Sequence, residues 1–140
     1  MLHSENVGIT CINFSNDNEL LITGGNDGSI KIWKLYLGKC VCEFKNAHDK
    51  GITSVMFNND GTQILSSGLD GDIKIYGLKS KRILKTFHKH TSFVNKAIYS
   101  GDYNRVISCG SDGLIIIWDI KNEDAIRIIK NINCMKIKSN

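Results

Sequence analysis

Two sets of residues in this 140-residue chain carry the side chains of a catalytic triad: His48, Ser66 and Asp70, and again His90, Ser108 and Asp112. A hydroxyl, an imidazole and a carboxylate held in line can make a serine nucleophile for acyl transfer, and Cys109 beside Ser108 adds a second possible nucleophile. The spacing argues the other way. In both sets the His precedes the Ser by 18 residues, the Asp follows the Ser by 4, and an aromatic residue, Tyr76 or Trp118, follows the Asp by 6. An enzyme needs one exposed nucleophile facing an oxyanion hole, and nothing in the sequence signals such a hole. A polar set that recurs at equal spacing is expected to fasten structure from within. Each such hydrogen bond contributes about 1 kcal/mol net, and stranding a buried partner costs about 1 to 3 kcal/mol.

The elements around these sets repeat as well. Thr23 to Lys34 reads TGGNDGSIKIWK, Ser66 to Gly77 reads SSGLDGDIKIYG and Ser108 to Asp119 reads SCGSDGLIIIWD, so Asp27, Asp70 and Asp112 recur at intervals of 43 and 42. Each copy predicts a hairpin closed by Asp-Gly, a dipeptide that tolerates the positive φ of a tight turn. Short strands at close spacing predict an antiparallel meander and exclude βαβ units. A period of 40 to 45 residues with four strands per unit predicts β-propeller blades.

Taken in order, blade one is expected at about residues 9–44, blade two at 52–87 and blade three at 94–129. Residues 130–140 form a tail or the start of a further blade. The third strands alternate weakly, as suits central strands buried on both faces, and the more polar fourth strands belong at the outer edge. Blade one departs from the other two. Thr23, Asp27 and Trp33 fit, but His3 lies 20 residues before Thr23, and Glu5 holds the position 18 before it.

Composition bounds the function classes. Hydrophobic residues make up 41% and charged residues 23%, enough for a packed core, and 21 Ile with no Pro favour strands. No apolar run suits a membrane span, and the N-terminal residues lack a signal-peptide pattern, so the protein is expected to be soluble and intracellular. The net charge of +4 comes from 15 Lys and three Arg against 14 acids. Spread lysines read as a solvated surface, since nucleic-acid binders concentrate basic residues and favour Arg. The five Cys (11, 40, 42, 109 and 134) are expected to be buried free thiols, because Cys40 and Cys42 have no second ligand pair. No metal, cofactor or small-molecule substrate is expected.

The set His, Ser or Thr, Asp and aromatic, placed on this period, resembles the WD40 repeat family. That resemblance implies a buried hydrogen-bonded chain from the turn Asp through His and Ser or Thr to the Trp indole. It assigns this structural role to His48, Ser66, Asp70 and Tyr76, to His90, Ser108, Asp112 and Trp118, and to Thr23, Asp27 and Trp33. Within the family, IYGLKS at Ile75 to Ser80 and HTSFVN at His90 to Asn95 are similar to internal blades of the Smu-type spliceosomal branch. Ala47 to Gly51, Ile64 to Ser66 and the absent Trp-Asp of blade two agree with it. The resemblance implies a nuclear, non-catalytic scaffold in precursor-RNA splicing. That branch binds the RED protein through an N-terminal helical region and has seven blades. With that region and more than half the blades not present here, RED binding is carried over to no residue.

In WD40 proteins partners dock where the loops before the first strands and the residues before the turn aspartates emerge. Here those positions are Gly8 and Thr10, Gly51 and Thr53, and Phe93 and Asn95, with Asn26, Leu69 and Ser111 preceding the aspartates. Phe93 and Leu69 stand out as apolar among small and polar neighbours, as an interface hot spot would. A general adaptor in another complex is the second function class, and an enzyme or direct RNA-binding surface the third. Three blades leave two open faces. They are expected either to be a piece of a longer chain or to close by self-association into a six-bladed ring.

Overall fold

The computed structural model describes residues 7–132. The positions of His3, Glu5 and Cys134, and the start of a further strand after residue 132, lie outside the described residues.

Three four-stranded antiparallel sheets follow one another along the chain, each a simple meander. The first contains β1 (Ile9–Phe14), β2 (Leu20–Gly25), β3 (Ile30–Lys34) and β4 (Lys39–Phe44). The second contains β5 (Ile52–Phe57), β6 (Gln63–Gly68), β7 (Asp72–Gly77) and β8 (Ile83–His88). The third contains β9 (Val94–Tyr99), β10 (Arg105–Gly110), β11 (Leu114–Asp119) and β12 (Asp124–Lys130). A 3-10 turn, Leu35–Leu37, joins β3 to β4 and ends on Gly38 in the left-handed region. The central hairpin of each sheet turns through Asp-Gly, with φ of 85°, 86° and 81° at Gly28, Gly71 and Gly113. The aspartate locks its own turn by accepting the N–H two residues on, at Ser29, Asp72 or Leu114.

The sheets stack face on face and bury two apolar layers. Between the first and second sheets, Ile22, Ile30, Ile32 and Phe44 meet Ile52, Val55, Phe57, Ile64 and Tyr76. Between the second and third, Leu65, Ile73, Ile75 and Phe87 meet Val94, Ala97, Tyr99, Val106 and Trp118. These residues occupy equivalent positions one period apart, so one interface is used twice. A tilted aromatic pair sits in each: Phe44 with Tyr76 at 5.1 Å and Phe87 with Trp118 at 5.2 Å. Close approach depends on small residues, since a Cβ on Gly24 would lie 2.5 Å from the Ile52 side chain. Polar rivets cross the same seams. Thr10 donates to the Ile52 carbonyl, and Thr53 donates to the Val94 carbonyl at 2.6 Å.

The outward faces of the first and third sheets stay open, and on the first Ile9, Ile12 and Phe14 are 66%, 59% and 52% exposed. The cysteines differ from expectation. Cys40 and Cys109 are exposed and Cys11 and Cys42 half-buried, all as free thiols. A register shift at β3–β4, where Ile32 pairs with Cys42 but Trp33 with Cys40, breaks the alternation that would have put Cys40 and Cys42 on one face. Cys42 packs against the core, and the Cys40 thiol meets the Cys42 carbonyl. No described helix is long and apolar enough to cross a membrane.

Candidate functional site

The third sheet holds the complete polar chain. Trp118 donates its indole N–H to Ser108 Oγ at 2.9 Å, Ser108 lies 2.8 Å from His90 Nε2, and His90 Nδ1 lies 3.0 Å from both Asp112 oxygens. An indole only donates and a carboxylate only accepts. The carboxylate therefore takes the His90 Nδ1–H, and Ser108 Oγ, which accepts the indole N–H, makes its other bond with His90 Nε2. Asp112 also accepts the N–H groups of Thr91 and Leu114, which ties the loop before β9 to the β10–β11 turn. Burial works to raise the Asp112 carboxyl, but these donors outweigh it and hold the group below its ordinary 3.8.

The second sheet repeats the core of this arrangement. His48 Nε2 lies 2.8 Å from Ser66 Oγ, His48 Nδ1 lies 2.9 Å from Asp70, and Asp70 accepts the Asp49 and Asp72 N–H groups. Burial pushes the His48 imidazole below its ordinary 6.5, with Asp70 pulling the other way. Burial raises Asp70 too, yet its bonds to His48 and the Asp72 N–H leave it lowered. Tyr76 corrects the expectation that it would end this chain. Its longer ring carries the hydroxyl past Ser66 to donate to the Ala47 carbonyl at 2.6 Å. Burial pushes that phenol up to about 12. Ser66 Oγ turns instead toward the Lys74 carbonyl at 3.4 Å. In the first sheet Trp33 donates to Thr23 Oγ1 at 3.0 Å, while Asp27 accepts from the Ser29 hydroxyl at 2.6 Å, a bond that lowers its carboxyl.

These chains have the hydrogen-bond order of a hydrolase triad without its access. Ser66 and Ser108 are 0% and 1% exposed, so no substrate carbonyl reaches either oxygen. Their lone pairs and protons are already committed to neighbouring groups. Among the described residues no cluster of three His, Cys, Asp or Glu could hold a metal ion.

Sequence reasoning missed the glycines that make room for this packing. A Cβ on Gly110 would stand 2.6 Å from His90 Nδ1 and 2.7 Å from Asp112 Oδ1, and one on Gly68 would stand 2.6 Å from His48 Nδ1. The signal was present, since both directly end the strand that carries the serine. Lys74 was also missed. It donates to the carbonyl of Ala47, in the loop before β5, at 3.1 Å, a contact 27 residues apart in the sequence.

One loop face gathers the partner-binding candidates. The N–H groups of Asn26, Leu69 and Ser111 donate to the carbonyls of Gly8, Gly51 and Phe93 at 2.9, 2.9 and 2.8 Å. Each turn is thus stapled to the entry of its sheet's first strand. Register shifts fall at Thr10, Thr53 and Asn95 in those strands. Two of these candidates are occupied within the molecule, because Thr10 and Thr53 make the seam bonds described above. Asn95 accepts from the Ser111 hydroxyl at 3.1 Å, and both remain exposed, as does Asn26. Leu69 from the second sheet and Phe93 from the third, 37% and 45% exposed, line one groove of about 450 Å³ with Lys50, His88 and Lys89.

A chain of four-stranded meanders stacked by one repeated interface and fastened by turn-to-loop hydrogen bonds belongs to the class of β-propeller repeat proteins. The family model described as WD domain, G-beta repeat matches residues 2–34, 38–77 and 81–119. This chain belongs to the WD40 repeat family. The second and third matched repeats begin near a fourth strand and end with the third strand of the next sheet, so sequence repeat and sheet are out of phase. No curated protein matches the chain.

Proposed function

We propose that this chain is a non-catalytic scaffold that binds a protein segment in the groove between its second and third sheets. The observation that carries this reading is that two exposed apolar loop residues, Leu69 and Phe93, come from different sheets and line the same groove. Two apolar anchors flanked by Lys50 and Lys89 suit a peptide with an apolar side chain beside acidic ones. Membership of the WD40 family supports the scaffold role. The finer reading, a nuclear component of the spliceosome acting in precursor-RNA splicing, is supported by the segments IYGLKS and HTSFVN.

Affinity capture from an extract of the source cells tests both levels, with wild type, Phe93→Ala and Leu69→Ala as baits. Each truncation is expected to cost about 2 kcal/mol in binding, roughly thirtyfold in affinity, with the urea midpoint unchanged. The same proteins should therefore be lost from both variants, and splicing proteins among them support the finer reading. An unrelated complex supports a general adaptor, and salt-sensitive retention of RNA supports an RNA-facing surface. Unchanged capture, or unfolding of both variants, rejects the groove.

A further inference from the structure

The two seams differ at their loop ends. Phe44 pairs with Ile30 and Phe87 with Ile73, so the two phenylalanines hold the same ladder position. From Phe44 to His48 the chain runs through Lys45, Asn46 and Ala47, whereas from Phe87 to His90 it runs through His88 and Lys89 alone. Asn46 bends the longer route through a φ of 56°. Ala47 thereby sinks into the first apolar layer, where it is 1% exposed, and neither His88 nor Lys89 enters the second. One residue fewer leaves the second loop farther from the turn it crosses. A Cβ on Gly28 would lie 2.2 Å from His48 O, and one on Gly71 would lie 3.5 Å from His90 O.

Backbone pairing registers the same difference. At the first turn the His48 N–H donates to the Gly28 carbonyl at 3.1 Å, and at the third the Asn131 N–H donates to the Gly113 carbonyl at 2.8 Å. Among the described residues no N–H donates to the Gly71 carbonyl. Gly71 is buried, and buried carbonyls are normally paired. It lines the groove of Leu69 and Phe93, with Lys50 and Lys89 beside it.

Taking that groove as the binding site, we propose that its occupant is an extended segment of a partner protein whose backbone N–H pairs with the Gly71 carbonyl. An apolar side chain of the segment seats against Leu69 and Phe93, and acidic neighbours face Lys50 and Lys89. The molecule itself displays this mode twice, since at the other two turns a backbone N–H fills the same place. An extended backbone sends successive side chains to opposite sides, so one apolar anchor stands between two charged residues. Main-chain pairing then supplies affinity, and the pocket and charges supply specificity.

Amide-shift titration of the isotope-labelled chain with the capped peptide Glu-Glu-Leu-Glu-Glu tests it. Saturable shifts are expected at Leu69, Gly71 and Phe93, and exchanging the peptide's leucine for alanine should weaken binding about tenfold. Backbone N-methylation of the peptide, scanned one residue at a time, should cost about tenfold at one position and much less at the others. Replacing His88 and Lys89 by Lys-Asn-Ala, as in the first loop, should supply the chain's own N–H. That graft should keep the circular dichroism spectrum and lose about tenfold or more in peptide affinity, whereas Lys89→Ala, which removes only the charge, should lose about threefold. The N-methyl scan uses the wild-type chain and stands even if the graft fails to fold. Phe93→Ala in the same titration separates the Gly71 pairing from the groove itself. Binding that Phe93→Ala weakens, but that neither the graft nor any N-methyl group weakens, keeps the groove and overturns the pairing. A peptide that does not bind, or that shifts other residues instead, also overturns the pairing, and the capture experiment then decides the groove by itself.

Discussion

Gly110 shows how much one missing methyl decides. The His90 ring and the Asp112 carboxylate both crowd this residue, and a Cβ would fall inside the contact distance of both groups. Two of the neighbours are backbone or ring atoms that cannot swing away, Phe93 O at 3.0 Å and His90 Nδ1 at 2.6 Å. Gly110→Ala should therefore destabilise the chain by about 1 to 3 kcal/mol through overpacking, read as a drop in urea midpoint at constant slope. The same change at Gly113 meets nothing within 4 Å and carries only the strain of its φ of +81°. An unchanged midpoint for Gly110→Ala would show that the ring and the Phe93 carbonyl can make room for a methyl. Tyr76 makes a related point in reverse. The sequence shows an aromatic where a tryptophan is expected, but only the length of the ring decides that its hydroxyl overshoots Ser66 and finds Ala47.

At the scale of the element, a hairpin and the loop before it are one unit, because a histidine from the loop is bonded to the turn aspartate and the strand serine together. Burial lowers the His48 imidazole from 6.5, so the folded chain binds that proton less readily than the unfolded chain. Stability from this group is complete above about pH 6.5 and falls as the pH drops through that value toward the lower folded one. One proton sets a slope of at most about 1.4 kcal/mol per pH unit. Asp70 and Asp112, held below 3.8, act with the same sign and add their loss at more acid pH. Urea midpoints between about pH 7.5 and 5.5 should fall on acidification, and His48→Gln should flatten the curve. A midpoint that stays constant or rises toward pH 5.5 contradicts the neutral, buried state of this ring.

Across the whole molecule, identical positions have different energetic weight because of what faces them. Ile73 and Ile115 both follow the turn glycine in the third strand of their sheets, yet Ile73 is fully buried between sheets and Ile115 is 37% exposed on an open face. Ile73→Ala should cost about 2 to 5 kcal/mol. Ile115→Ala in a chain kept too dilute to associate should cost under about 1 kcal/mol, near the value of a partly exposed side chain. Denaturant unfolding of the two variants measures the difference, and equal losses would mean that the third sheet's outer face is already covered within one chain.

The turns, the meander and the repeat were legible in the residues because they are local: Asp-Gly sets a hairpin, β-branched runs set strands, and a period near 42 sets how many sheets there are. The His, Ser and Asp spacings were legible for the same reason, since each repeat places its own set. Alternation along a strand sorts side chains to two faces but does not say which face meets the next sheet. That decision needs the stacking of the sheets, which buries Ile73 and leaves Ile115 open, turns Thr10 and Thr53 into seam bonds, and brings Leu69 and Phe93 from separate sheets to one groove. Side-chain length and register shifts, which moved the Tyr76 hydroxyl and parted Cys40 from Cys42, likewise act only once neighbouring backbones are in place.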